Sequence, residues 1–145
     1  MDLPAPNPRL PQRVVVAGNP GPMLEGLLPR LAQVLDVPLV PLADLAGPDE
    51  ASRLAAFDGW VSTAEPPAGR ALLLERAEVV VLLLEAEPGS LRGLVRRTVR
   101  RIRADAEADL SWLDALPVEH PDLALVRLVG ADAAERWLAG LAATT

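Results

Sequence analysis

Two short, uninterrupted apolar runs constrain this chain more than any other feature of its sequence. The first, Arg13-Val-Val-Val-Ala-Gly18, ends in a glycine, and the second covers Val79 to Leu84. Runs of this length that are rich in valine and leucine are typical of strands buried on both faces, as in a parallel sheet covered by helices. We therefore expect both runs to form strands of such a sheet.

Segments with helical periodicity alternate with further candidate strands along the chain. Leucines and valines at spacings of three and four predict an amphipathic helix over residues 23–35, interrupted by Pro29. The five predicted strands are residues 13–18, 37–42, 59–62, 79–84 and 123–129. The other predicted helices are residues 48–57, 71–76, 90–108, 111–118 and 131–142. This alternation predicts an α/β fold, a five-stranded parallel sheet with helices on both faces.

Length and composition fit one folded domain. The chain has 145 residues, of which 50% are apolar, so we expect residues 13–145 to form a single domain after a flexible, proline-rich segment over residues 1–12. It contains 14 arginines, no lysine, one histidine and no cysteine. A thiolate metal site and a lysine nucleophile or phosphate clamp are therefore excluded.

Charge and hydropathy limit the partners that the chain is expected to have. The formal net charge is −6 at pH 7 and aromatic residues make up only 3% of the chain. Both features argue against nucleic-acid binding, which needs basic surfaces or stacking platforms. No run reaches the roughly 18 apolar residues of a membrane span, and the N-terminus lacks the layout of a signal peptide. We expect a cytoplasmic protein that binds neither nucleic acid nor a membrane.

The turn after the first strand has the setting of a phosphate-binding loop. Gly18, Asn19 and Gly21 lie between a predicted strand and a predicted helix, where backbone N–H groups and the helix dipole can hold an anion. A glycine-containing turn at this position can also serve only to reverse the chain. The residues alone leave both interpretations open.

Stretches along nearly the whole chain follow the residue pattern of a known family. They are Arg13-Val-Val-Val-Ala-Gly-Asn-Pro-Gly21, Val37-Pro-Leu-Val-Pro-Leu-Ala-Asp-Leu45, Asp58-Gly-Trp-Val61, Arg76-Ala-Glu-Val-Val-Val81, Leu94-Val-Arg-Arg-Thr-Val-Arg-Arg101 and residues 122–141. These stretches resemble the P-loop kinases, and most closely the short adenylate-kinase-like proteins known as topology modulation proteins. The resemblance implies a P-loop kinase-like fold with a nucleotide site at the Gly18 loop, although each motif is short.

The loop of that family, Gly-x-x-x-x-Gly-Lys-Ser/Thr, is degenerate in this chain. Gly18 matches the first glycine, whereas Met23, Leu24 and Glu25 occupy the positions of the second glycine, the phosphate-binding lysine and the magnesium-binding hydroxyl. Leu24 brings no charge to a phosphate, and Glu25 would repel one. Because phosphoryl transfer depends mostly on electrostatic positioning, we do not expect a working kinase at this loop.

The acids that the family carries after its second and third strands are only partly retained. Asp44 lies beside one of these positions, and Glu65 follows the predicted third strand. Both residues could hold a cation, but we interpret them as loop acids and expect no metal site.

Six arginines crowd the helix predicted over residues 90–108. The resemblance implies that arginines beyond the fourth strand face the nucleotide phosphates, so Arg97 and Arg101 join Gly18, Asn19 and Gly21 as candidate ligand-binding residues. The alternative is a solvated helix face, with its charge offset by the acids at positions 105, 107 and 109.

The leading hypothesis is a catalytically degenerate P-loop kinase-like protein that serves as a binding or regulatory module, with no catalytic residue and no cofactor expected. A homo-oligomer or a protein partner would suit this role. The alternative is an atypical enzyme that binds a nucleotide or a phosphorylated metabolite through backbone amides and arginines in place of the lysine. That alternative predicts weak nucleotide or phosphate binding.

Overall fold

The computed structural model describes residues 10–19, 21–85 and 110–144, and these residues form four strands and five helices. The strands are β1 (Arg13–Gly18), β2 (Trp60–Thr63), β3 (Val79–Leu84) and β4 (Ala124–Val129). The helices are α1 (Pro22–Leu35), α2 (Pro48–Ala56), α3 (Arg70–Leu74), α4 (Leu116–Glu119) and α5 (Ala131–Thr144). Two 3-10 turns cover Leu42–Asp44 and Ser111–Ala115. The helix predicted over residues 90–108 lies outside the described residues.

The four described strands are all parallel and lie in the order β2-β1-β3-β4. β1 is thus an inner strand, as its continuous apolar sequence predicts. Its side chains alternate between two buried clusters, with Val14 and Val16 on one face and Val15 and Ala17 on the other. The predicted α/β fold, a parallel sheet flanked by helices, is therefore confirmed.

Each face of the sheet is covered by its own helices. Leu31 of α1 and Leu138 of α5 are buried in the cluster on one face. Leu54 of α2, Leu73 of α3 and Leu116 of α4 are buried in the cluster on the other. Fully burying one leucine side chain is worth roughly 1.5–3 kcal/mol. The two clusters therefore stabilise the sheet from both sides and fix the points at which its loops begin.

The prediction of a fifth strand over residues 37–42 is wrong, since the sheet of the described residues has four strands. The segment contacts β2 through a single bridge that pairs Leu39 with Val61. In this bridge the Val61 N–H donates to the carbonyl of Pro38 at 2.9 Å. One bridge is too short a ladder to make a strand.

The ladder stops on either side of this bridge for a separate reason. Extending it towards the N-terminus would need an N–H at Pro38, and proline has none. Extending it towards the C-terminus would need the Leu42 N–H to reach the backbone carbonyl of Thr63. That N–H donates to the hydroxyl of Thr63 instead, at 3.0 Å.

The long helix α1 continues through Pro29 without ending. Pro29 is exposed, whereas Leu28 and Leu31 on either side of it are buried in the core. The burial of these leucines offsets the one backbone hydrogen bond that a proline removes from a helix. Among the described helices, none has both the length and the apolarity needed to cross a membrane.

Candidate functional site

The candidate site lies at the edge of the sheet where the parallel strands end. β1 and β3 are the two central strands of the described sheet. β2 follows β1 in the chain and pairs with the side of β1 that faces away from β3, whereas β4 follows β3 and pairs with the side of β3 that faces away from β1. In open α/β sheets, ligands bind at such a switch point, in the crevice outside the carboxyl ends of the strands. The residues that follow β1 and β3 therefore frame the site.

Gly18, the last residue of β1, is fixed by the packing of two strands. A Cβ atom built on Gly18 would lie 2.8 Å from the carbonyl oxygen of Leu83 in β3, closer than real Cβ atoms come. Any larger residue would push β1 and β3 apart. Strand packing alone thus explains the glycine that matches the first position of the P-loop pattern.

Gly21 marks the start of α1. Its carbonyl accepts the N–H of Glu25 at 3.0 Å, and no side chain of the described residues caps the helix. The N–H groups of Met23 and Leu24, in the first turn, have no acceptor within the helix. Among the described residues, an added Cβ at Gly21 would have only the Glu85 Oε1 atom within 4 Å, at 3.8 Å. Close packing therefore does not require a glycine at this position.

The space beneath the β1–α1 loop is almost filled by side chains. The cavity between Asn19, Met23, Leu24 and the end of β3 has a volume of about 10 Å³, close to the minimum that a single water needs. Leu24, at the position of the family's lysine, is half-buried and packs against the cluster on the α1 face. Since a phosphate group is larger than a water, the cavity that these described residues line has no room for one.

A larger cleft opens beside the loop, between the ends of β3 and β4. Its volume is about 510 Å³, within the range of small-molecule sites. The charged side chains in its lining are two carboxylates, Glu85 after β3 and Asp132 in the first turn of α5. These acids would repel a phosphate. The described walls of this cleft are therefore opposite in charge to what an anion site needs.

Gly130 closes the side of this cleft that faces β4. Its backbone has φ +87°, a left-handed conformation that side chains rarely adopt. Its N–H donates to the carbonyl of Leu84 at 2.8 Å, and its carbonyl accepts the N–H of Ala134 at 3.3 Å. One residue thus joins the end of β4 to the end of β3 and to the first turn of α5.

A positively charged side chain, that of Arg70, lies at the same edge of the sheet, beyond the end of β2. Arg70, the first residue of α3, donates from Nη1 to the carbonyl of Ala64 at 3.3 Å and to the carboxylate of Glu65 at 3.4 Å. Its guanidinium carbon lies 4.5 Å from the centroid of the Trp112 ring, within cation–π distance. The Arg70 side chain is only 16% exposed. These contacts hold its charge in one place.

The backbone ties Arg70 to the central strand. The Ala64 N–H donates to the carbonyl of Val16 at 3.2 Å, and Val16 is two residues before Gly18. Both hydrogen bonds of Arg70 come from Nη1, so among the described residues its Nε and Nη2 groups have no partner. Two N–H groups of one guanidinium are the donors with which arginine binds a phosphate or a carboxylate.

The structure brings together only part of the predicted site. Gly18, Asn19 and Gly21 meet at the end of β1, as the strand–turn–helix pattern predicts. Arg97 and Arg101 lie outside the described residues, so their role in ligand binding stays a prediction. Arg70 was missed, because only the folded chain brings Trp112 to it. The available signal was its position directly before the helix predicted over residues 71–76, which follows a predicted strand.

The two acids considered for a cation have ordinary surroundings. Glu65 pairs with Arg70, and Asp44 lies exposed in a 3-10 turn. Within the described ranges, no group of three or more histidine, aspartate or glutamate side chains is arranged to hold a metal ion.

Comparison with known proteins gives no relative: no family model, no curated protein and no solved structure matches this chain. The resemblance to P-loop kinases therefore stays a prediction from short motifs. The geometry of the sheet edge is the basis for the functional proposal that follows.

Proposed function

We propose that this protein is a catalytically degenerate P-loop kinase-like module, which binds a ligand or a partner without transferring a phosphoryl group. The observation that carries this proposal is how little space remains beneath the β1–α1 loop. The cavity between Asn19, Met23 and Leu24 has a volume of only about 10 Å³. In a working P-loop, backbone N–H groups and a lysine surround phosphates in this position. The small cavity found here is lined mainly by apolar side chains, among them Met23 and Leu24.

The charges around the loop support the same proposal. The positive end of a helix dipole attracts either a bound anion or an acidic side chain in the first turn. Glu25 lies in the first turn of α1 and is exposed, so it supplies that negative charge from within the chain. A phosphate at this end of the helix would be repelled by this carboxylate.

A phosphoryl-transfer assay tests the proposal directly. The purified chain is incubated with ATP, Mg²⁺ and each nucleoside monophosphate, and ADP release is measured against a buffer control. We expect no release above that control. Transfer at roughly 1–100 s⁻¹, the range of working kinases, would overturn the proposal.

A loop variant provides the matched comparison. Met23→Gly, Leu24→Lys and Glu25→Ser together supply the three missing loop residues while leaving the sheet unchanged. We expect this variant to bind ATP with Mg²⁺ by calorimetry where the natural chain does not. Equal binding by both proteins would show that the loop residues do not decide nucleotide binding, which contradicts the proposal.

Arg70 favours a second candidate function, recognition of an anionic metabolite or nucleotide beyond the end of β2. This residue is held by three contacts, and its Nε and Nη2 nitrogens have no partner among the described residues. Because the guanidinium is already held in one place before binding, less conformational entropy is lost when a ligand associates. The second candidate needs no P-loop lysine, since arginine supplies the charge.

Thermal shifts with inorganic phosphate, AMP and ATP separate this candidate from the first. We expect an Arg70→Gln variant to lose any stabilisation by these anions that the natural chain has. Arg53→Gln is the control, because it removes the same charge from an exposed position on α2. If no anion stabilises the natural chain, or if both variants respond equally, the second candidate is wrong and light scattering for a homo-oligomer becomes the next measurement.

A further inference from the structure

We draw no further inference here: the strongest candidate, the cleft between the carboxyl ends of β3 and β4, has only the carboxylates of Glu85 and Asp132 beside a helix start to suggest a cationic ligand, and no second observation in the described residues points to one.

Discussion

The two halves of the sheet edge are built in opposite ways. Beyond β2, Arg70 is held between a carbonyl, a carboxylate and an indole ring, and little of its side chain meets solvent. Beyond β3 and β4, Glu85 and Asp132 line an open cleft of about 510 Å³. The half beyond β2 carries a fixed cation, whereas the half beyond β3 and β4 carries an open cleft lined by negative charge.

This difference shows what a phosphate site requires and how its parts can be separated. A phosphate needs donors, positive charge and open volume at one point. In this chain the charge of Arg70 lies beyond β2, the open volume lies beyond β3 and β4, and the loop between them is filled by Met23 and Leu24. The described residues therefore place the arginine charge and the open cleft at different points of the sheet edge.

The largest expected effect comes from a substitution at Gly18, where β1 packs against β3 between the two halves of the sheet edge. Gly18→Ala places a methyl group 2.8 Å from the carbonyl oxygen of Leu83, and overpacking of this kind costs about 1–3 kcal/mol. Gly21→Ala is the control, because its methyl group would meet only Glu85, at 3.8 Å. Urea unfolding should show a large loss for the first variant and a small change for the second. Equal losses would mean that strand packing does not explain Gly18.

A smaller effect, of opposite sign, is expected for a substitution in β2. Ser62 is fully buried in β2, and its hydroxyl has no hydrogen-bond partner in the described part of the chain. Ser62→Ala removes an unsatisfied buried polar group, so we expect the free energy of unfolding to rise by about 1 kcal/mol.

The neighbouring Thr63 gives the matched contrast. Its hydroxyl accepts the Leu42 N–H at 3.0 Å and donates to the Glu65 carbonyl at 3.2 Å. Thr63→Val leaves both groups without this partner and should lower stability by about 1–2 kcal/mol. If Ser62→Ala proves as destabilising as Thr63→Val, the Ser62 hydroxyl has a partner in solution.

The smallest effect concerns an ion pair between α1 and α5, the two helices whose first turns line the open cleft beyond β3 and β4. Arg30 donates to both carboxylate oxygens of Glu135, from Nη2 at 2.7 Å to one of them. This hydrogen bonding lowers the pKa of Glu135 below its ordinary value. A lowered pKa in the folded state stabilises the protein above the unfolded-state pKa, and this contribution disappears as the pH falls through the folded-state pKa.

The pH dependence of a Glu135→Gln variant tests that sign. Both side chains of the pair are about half exposed, so solvent screening keeps the effect small. The natural chain should be slightly more stable than the variant at pH 7, and the difference should shrink as the pH falls through the lowered pKa of Glu135. A difference that grows on acidification would contradict the assignment.

The parts of the fold that could be predicted are those set by local sequence. The valines of β1 and the apolar run of β3 are buried strands because each pattern has one physical solution, a strand covered on both faces. Residues 37–42 have the composition of a strand, but a ladder also depends on which N–H groups face the neighbouring strand. Pro38 occupies one of those positions, and the pattern of apolar residues does not show it.

The part of the candidate site that chain order determines could be predicted from the sequence. The part that depends on contacts between distant segments was missed. A turn after a buried strand must lie at the sheet edge, so the location of Gly18 and Gly21 follows from the sequence. The cation at that edge, Arg70, depends on a contact with Trp112 from a distant part of the chain. The volume beneath the loop likewise depends on how far Leu24 turns into the core, which only packing decides.

The segment around the Leu39 bridge also offers few hydrogen-bond donors to an incoming strand at the border of the sheet beyond β2. On the side facing away from β2, the Val37 N–H already donates to the Ala32 carbonyl at 3.1 Å, and Pro41 has no N–H to offer. An incoming strand would find at most the donor of Leu39, too little to template a ladder. Fibre growth and edge-to-edge dimers are thus disfavoured along this border.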